Sequence, residues 1–184
     1  GDHAVQTIAE ERVEELPLPN EYALALCRIE PENNVSMILE AFENLSLPLV
    51  FVGNWNNSEF GRKMRSQYAC SPNILMLDPI YEPAALHRVR RNASAYIHGH
   101  SAGGTNPALV EMMHVGHPIL AFDCSFNRYT TEDCAAYFAS AADLADLVDA
   151  ISHHKNGSSM SEIANRRYRW DVIGAEYFSL LREA

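Results

Sequence analysis

The sequence predicts an α/β fold of the Rossmann-like kind, a three-layer sandwich around a mainly parallel sheet of about six strands. Three observations predict it. Short apolar runs of strand length recur along the chain, and amphipathic stretches of about ten residues separate them. The runs are apolar throughout rather than alternating, the pattern of strands buried on both faces.

The elements follow in order. A polar lead-in over residues 10–20 carries Pro17 and Pro19, and residues 1–20 read as a linker ahead of a domain over 21–184. Residues 22–27 (YALALC) form the first strand. Val35, Ile38, Leu39, Phe42 and Leu45 then share one face of a helix. Residues 49–52 (LVFV) make the second strand, ending at Gly53-Asn54. Residues 60–68 make a short helix with basic residues on its wet side. Residues 74–77 (ILML) are the third strand. Pro83 opens a helix whose Leu86 and Val89 point inward, and residues 95–98 are the fourth strand. Asn106 is a good N-cap, Pro107 suits the first helical position and Gly116 closes the helix. Residues 118–122 (PILAF) are a fifth strand, 123–134 a loop and 136–138 a short extended piece. Ser140 caps a helix carrying Leu144, Leu147, Val148 and Ile151. The tail from Ser161 runs helical through Trp170, Ile173, Tyr177, Leu180 and Leu181. A strand order of 3-2-1-4-5-6 is expected.

With 184 residues, of which 47% are hydrophobic and 21% charged, the chain can build one domain with a full core. Fourteen Lys and Arg against 24 Asp and Glu leave a net charge of −10. That surface exerts no general pull on nucleic acid or anionic membrane, so a phosphate must be held locally. No apolar run approaches the roughly 18–20 residues of a bilayer span, and none reads as a signal peptide. Cys27, Cys70, Cys124 and Cys134 are scattered with no CxxC pair, which points to buried free thiols and a cytoplasmic setting. The chain starts Gly-Asp-His-Ala rather than with methionine, as a processed protein or a piece of a longer one would.

In an open parallel sheet, ligands bind beyond the carboxyl ends of the strands. Four such ends carry unusual residues: Arg28, Gly53-Asn54, Asp78-Pro79-Ile80, and 98–106. The last reads HGHSAGGTN and spends three glycines just before a helix N-terminus. Glycines let the backbone approach a ligand closely, and the N–H groups of a first helical turn suit a phosphate. A ligand-free tight turn explains a Gly-Gly pair equally well. No GxGxxG or Walker A pattern is present. His98 and His100 stand one residue apart, but a metal needs three or four converging ligands and no others converge, so no metal site is expected. A polar rim touching sugar or phosphate is the better reading of the pair. His153-His154 and Arg88, Arg90 and Arg91 read as solvated helix surface.

The stretch 98–123 (HGHSAGGTNPALVEMMHVGHPILAFD) resembles the nucleotide-sugar loop of retaining-type GT-B glycosyltransferases, in which a Glu, seven residues and a second Glu precede a Gly-x-Pro strand. It is most similar to a bacterial rhamnosyltransferase-like branch that also carries an Asn-Arg pair, here Asn127-Arg128. Gly1-Asp2-His3 resembles the end of that branch's interdomain crossover. The likeness runs from Tyr22 to the region of Trp170, and implies the C-terminal, donor-binding half of a GT-B fold.

Position by position, the resemblance implies that Glu111 is the second Glu, which bonds the ribose hydroxyls. A carboxylate can accept both protons. The first Glu, a contact of the transferred sugar, falls at Gly103 and is missing, which fits a deoxy sugar donor. Arg28 matches the arginine that grips the diphosphate, while the family's lysine six residues later is Asn34 here. With one cation, Gly103, Gly104, Thr105 and the helix N-terminus at Asn106 must supply more of the neutralisation. Ile80 stands where backbone groups meet a pyrimidine edge, with Gly53, His98 and His100 on the same rim. The resemblance implies a nucleoside-diphosphate sugar as donor, with no further cofactor. The implied activity is transfer of a sugar, rhamnose in that branch, to a saccharide acceptor in polysaccharide biosynthesis, by an enzyme with an N-terminal acceptor domain and peripheral membrane association. Alone, residues 1–184 would turn over little. A nucleotide-sugar epimerase domain or a non-catalytic α/β nucleotide-binding module are the competing expectations. The tail resembles the C-terminal helix of GT-B enzymes, so part of its aromatic face should be exposed.

Overall fold

The computed structural model describes residues 2–5, 16–153 and 156–183. Six strands, β1 (Ala23–Leu26), β2 (Leu49–Val52), β3 (Ile74–Leu77), β4 (Ala95–His98), β5 (Ile119–Phe122) and β6 (Ala136–Phe138), form one sheet. Its order is β3-β2-β1-β4-β5-β6 and every neighbouring pair is parallel. This is the expected doubly wound arrangement, whose reversal point lies between β1 and β4.

Alternate strand residues feed two separate cores. Ala23, Ala25, Leu49, Phe51, Ala95 and Ile97 pack under α1 (Val35–Phe42), α2 (Glu59–Gln67) and α6 (Ala141–Asp149). Leu24, Val50, Val52, Tyr96, Ile119 and Ala121 pack on the opposite face under α3 (Pro83–Arg91), α4 (Pro107–Val115) and α7 (Gly157–Arg167). Both faces are therefore dry, which is why the strands are uninterrupted apolar runs.

The helix punctuation is as the sequence indicates. The Asn106 side chain accepts from the Ala108 amide at 2.9 Å, Pro107 takes the first turn, and Gly116 closes α4 at φ 84°. Ser140 caps α6 through the Asp143 amide at 3.1 Å.

Three expectations change. Residues 123–134 are not all loop: α5 spans Ser125–Thr131. Its sequence has no apolar stripe; Asn127 and Thr130 tie it to His100 and Thr105 of the glycine loop, and other polar bonds run to near neighbours in sequence. Thr130 and Thr131 hydroxyls bond the carbonyls of Phe126 and Asn127, and Arg128 bridges Asp123 and Asp133. The tail is two helices, because α7 stops where Tyr168 turns into the second core and donates to the Thr130 carbonyl at 3.2 Å. Beyond it α8 (Trp170–Glu183) exposes Trp170, Tyr177, Phe178, Leu180 and Leu181, the outward aromatic face expected of the tail. The four cysteines are free but not buried: Cys70 and Cys134 are exposed, Cys27 and Cys124 half-buried. Cys27 still packs against the first core from the end of β1, while Cys70 and Cys134 lie in the connections ahead of β3 and β6. Most of the proposed 1–20 linker, and His154, lie outside the described residues.

Candidate functional site

The carboxyl ends of β1, β2 and β3 meet in a cavity of about 400 Å³ lined by Arg28, Gly53, Asn54, Pro79, Ile80 and Tyr81, among others. Arg28, Gly53 and Ile80 are thus brought together from three strand ends, at the carboxyl edge where open parallel sheets bind ligands and on the β1-β2-β3 side of the reversal point. Cys27 also lines it, but burial pushes its thiol up to about 12 against a weaker pull from Arg28, so it is protonated and no nucleophile.

Glu111 sits on α4 in an adjoining cavity of about 250 Å³ with Ala4, Tyr81, Pro83, Leu86, His87 and Arg90. Tyr81 and Leu86 line both cavities, so they form the shared wall. The Glu111 carboxylate accepts from the Arg90 guanidinium, whose side chain is only 9% exposed. Arg90 is therefore not the solvated surface residue its basic neighbourhood suggested. The available signal was its spacing: four residues after Leu86, it falls on the inward stripe of α3. Arg91 is exposed as expected, and so is His153.

The glycine loop lines neither cavity, yet it is tied to the Arg28 rim. Asn33, buried after a 3₁₀ turn over Pro31–Asn33, donates from Nδ2 to the Arg28 carbonyl at 2.7 Å and faces His100 Nδ1 with Oδ1 at 2.7 Å. The Ser101 amide and hydroxyl both reach the Glu32 carbonyl, and Asn34 Nδ2 reaches that of Gly99. Gly99 has to be glycine, since a Cβ there would stand 2.2 Å from the Asn33 carbonyl oxygen. From the other side Asn127, 1% exposed, donates to the carbonyls of His100 and Phe122. Asn33 was missed by sequence reasoning, since a lone Asn in a loop carries no spacing signal. Gly103, Gly104 and Thr105 are exposed, with Gly103 at φ 104°.

Fewer helix-end donors remain than the motif promised. Pro107 has none, the Ala108 amide goes to the Asn106 side chain, and that of Val110 to the Asn106 carbonyl. An anion at this loop depends on the loop amides and Arg28 more than on the first turn.

His98 is fully enclosed. Its Nδ1 lies 3.4 Å from the Tyr96 hydroxyl, and Nε2 is buried with no hydrogen-bond partner among the described residues. Burial, and secondarily His100, pushes its pKa down to about 3. The unfolded chain binds this proton near pH 6.5 and the native state does not. Stability should therefore be full above about pH 6.5 and fall by up to about 1.4 kcal/mol per unit as pH drops toward 3. Urea titrations between pH 7 and 4.5 should show a flatter acid limb for His98→Leu than for the parent, and coincident slopes would mean that His98 takes up protons in the native state.

Among the described residues no group of three or more His, Cys, Asp or Glu side chains could hold a metal, and no helix is long and apolar enough to cross a membrane. Asp78 and Asp123 are each paired with an arginine, Arg65 and Arg128, and do not form a shared acidic pocket.

An all-parallel doubly wound sheet with helices on both faces is the Rossmann-like class of α/β domain. Residues 7–169 match the family model of glycosyl transferases, group 1, and the chain belongs to that family. No curated protein matches it by sequence. Similar solved structures include sucrose-phosphate synthase from Thermosynechococcus elongatus, at 17% identity over 90% of this chain and 46% of that one, with a TM-score of 0.76. HepE of Anabaena in complex with UDP has 13% identity over 90% of this chain and 50% of that one, with a TM-score of 0.77. The C-terminal domain of the group 1 glycosyl transferase LpcC from Francisella tularensis has 12% identity, covering 81% of this chain and 87% of that domain, with a TM-score of 0.67. The chain spans about half the length of the first two. Its fold is that of the Rossmann-like C-terminal domain of GT-B glycosyltransferases.

Proposed function

We propose that this domain binds the nucleoside-diphosphate sugar of a glycosyltransferase. The observation that carries the reading is the pair of adjoining cavities, one presenting Arg28 at the carboxyl ends of β1–β3 and the other presenting Glu111 between α3 and α4. The diphosphate lies between Arg28 and the amides of Gly103, Gly104, Thr105 and Asn106. The ribose lies against Glu111 and the base along the backbone at Ile80, while Gly53 at the end of β2 gives up its side chain to the close approach of Ile29. HepE, a fold relative, was solved with UDP, with UDP-glucose, and with UDP and glucose, which supports a nucleotide-sugar donor here.

The finer reading is a retaining hexosyltransferase of the rhamnosyltransferase-like branch, acting in polysaccharide assembly on the cytoplasmic side of a membrane. The Gly103 position, with no carboxylate for an extra sugar hydroxyl, supports a deoxy donor. Charge on the leaving diphosphate is offset by Arg28 and backbone dipoles rather than by a metal.

Calorimetry tests this with UDP, dTDP and GDP against inorganic pyrophosphate. Glu111→Gln should weaken the preferred nucleotide about tenfold, since charged hydrogen bonds contribute about 1.5–3 kcal/mol, and leave pyrophosphate nearly unchanged. Arg28→Ala should weaken both. Equal losses in Glu111→Gln would remove ribose from Glu111.

A further inference from the structure

The amide of Asn33 fixes the tautomer of His100. The Arg28 carbonyl can only accept, so Nδ2 of Asn33 must face it, and Oδ1 is left facing the imidazole. His100 Nδ1 therefore carries the hydrogen, and Nε2 of the neutral ring is a lone-pair acceptor. Asn33 is 3% exposed, so this orientation is held by buried groups.

Nε2 points toward the glycine turn. A Cβ on Gly103 would stand 3.5 Å from it, whereas a Cβ on Gly104 would meet nothing within 4 Å. Among the described residues nothing donates a hydrogen bond to Nε2, and Ala102, Gly103 and Gly104 beside it are exposed. An oriented acceptor thus fronts open space, one side chain away from the Arg28 backbone.

Resting on the donor-binding reading, we infer that His100 is a specificity residue that accepts a hydrogen bond from a hydroxyl of the transferred sugar. A phosphate oxygen is itself an anionic acceptor and is disfavoured opposite a lone pair. A sugar hydroxyl supplies the missing hydrogen. The acceptor reaches the loop from His100 because residue 103 has no side chain of its own.

Two variants separate this role from a structural one. His100→Asn keeps an N–H near the Nδ1 position for Asn33 and removes the outer acceptor. His100→Gln carries an amide oxygen out to the Nε2 position. Calorimetry of the full chain uses UDP, dTDP and GDP, and UDP-glucose, dTDP-rhamnose and GDP-mannose. His100→Asn should bind the preferred sugar nucleotide about tenfold more weakly, the upper range for one lost hydrogen bond, with the parent diphosphate unchanged. His100→Gln should recover part of that loss. Sugar-nucleotide affinity unchanged in His100→Asn, or equal weakening of diphosphate and sugar nucleotide, overturns the assignment while leaving the donor site standing. A wild-type chain that binds none of the diphosphates overturns both.

Discussion

Arg90→Met should lower the free energy of unfolding by about 3–5 kcal/mol, the usual consequence of removing one partner of a buried ion pair. The Arg90 and Glu111 side chains are 9% and 15% exposed, so water can do little to compensate the carboxylate once the guanidinium is gone. Methionine replaces most of the arginine stem, so the loss reports charge and hydrogen bonding more than packing. The double change Arg90→Met with Glu111→Leu should recover most of the stability, because an apolar pair needs no mutual neutralisation. Urea denaturation of the three variants completes the cycle. A single-variant loss below about 1 kcal/mol would mean that the pair behaves as a solvated surface bridge.

Trp55→Ala should cost a similar amount, about 3–5 kcal/mol, as large aromatic truncations in a core do. Trp55 is 0% exposed, meets Phe51 edge-on at 5.0 Å and donates from Nε1 to the Leu77 carbonyl at 3.0 Å. That carbonyl also accepts from the Gly53 amide, so the indole helps hold the end of β2 against the end of β3, just ahead of Pro79-Ile80. The consequence reaches the site: nucleotide binding should fall along with stability, because two walls of the Arg28 cavity lose their common anchor. Trp55→Phe keeps most of the apolar volume and loses one hydrogen bond, so about 1 kcal/mol is expected. If Trp55→Ala unfolds at the parent's urea midpoint, the indole does not support this corner of the sheet.

The six strands, their order and the caps at Asn106 and Ser140 were legible in the sequence. The strands and caps depend on local information: an unbroken apolar run, a helical period, or a side chain bonding an amide two or three residues on. The order follows from the doubly wound rule for alternating strands and helices. Arg28, Gly53 and Ile80 were legible as site candidates for a related reason. Topology alone carries strand ends to one rim, so a cation and a glycine immediately after strands had to arrive there together.

What only the tertiary structure decided concerns groups whose partners lie far along the chain. Arg90 meets Glu111 from another helix, Asn33 meets His100 across 67 positions, and Asn127 holds the His100 carbonyl from α5. None of these pairs has a period or a spacing, and each forms only when burial removes water as the competing partner. The same reason accounts for α5, which Asn127 and Thr130 tie to the distant glycine loop, and for the break at Tyr168, whose ring turns into a core that no local pattern describes.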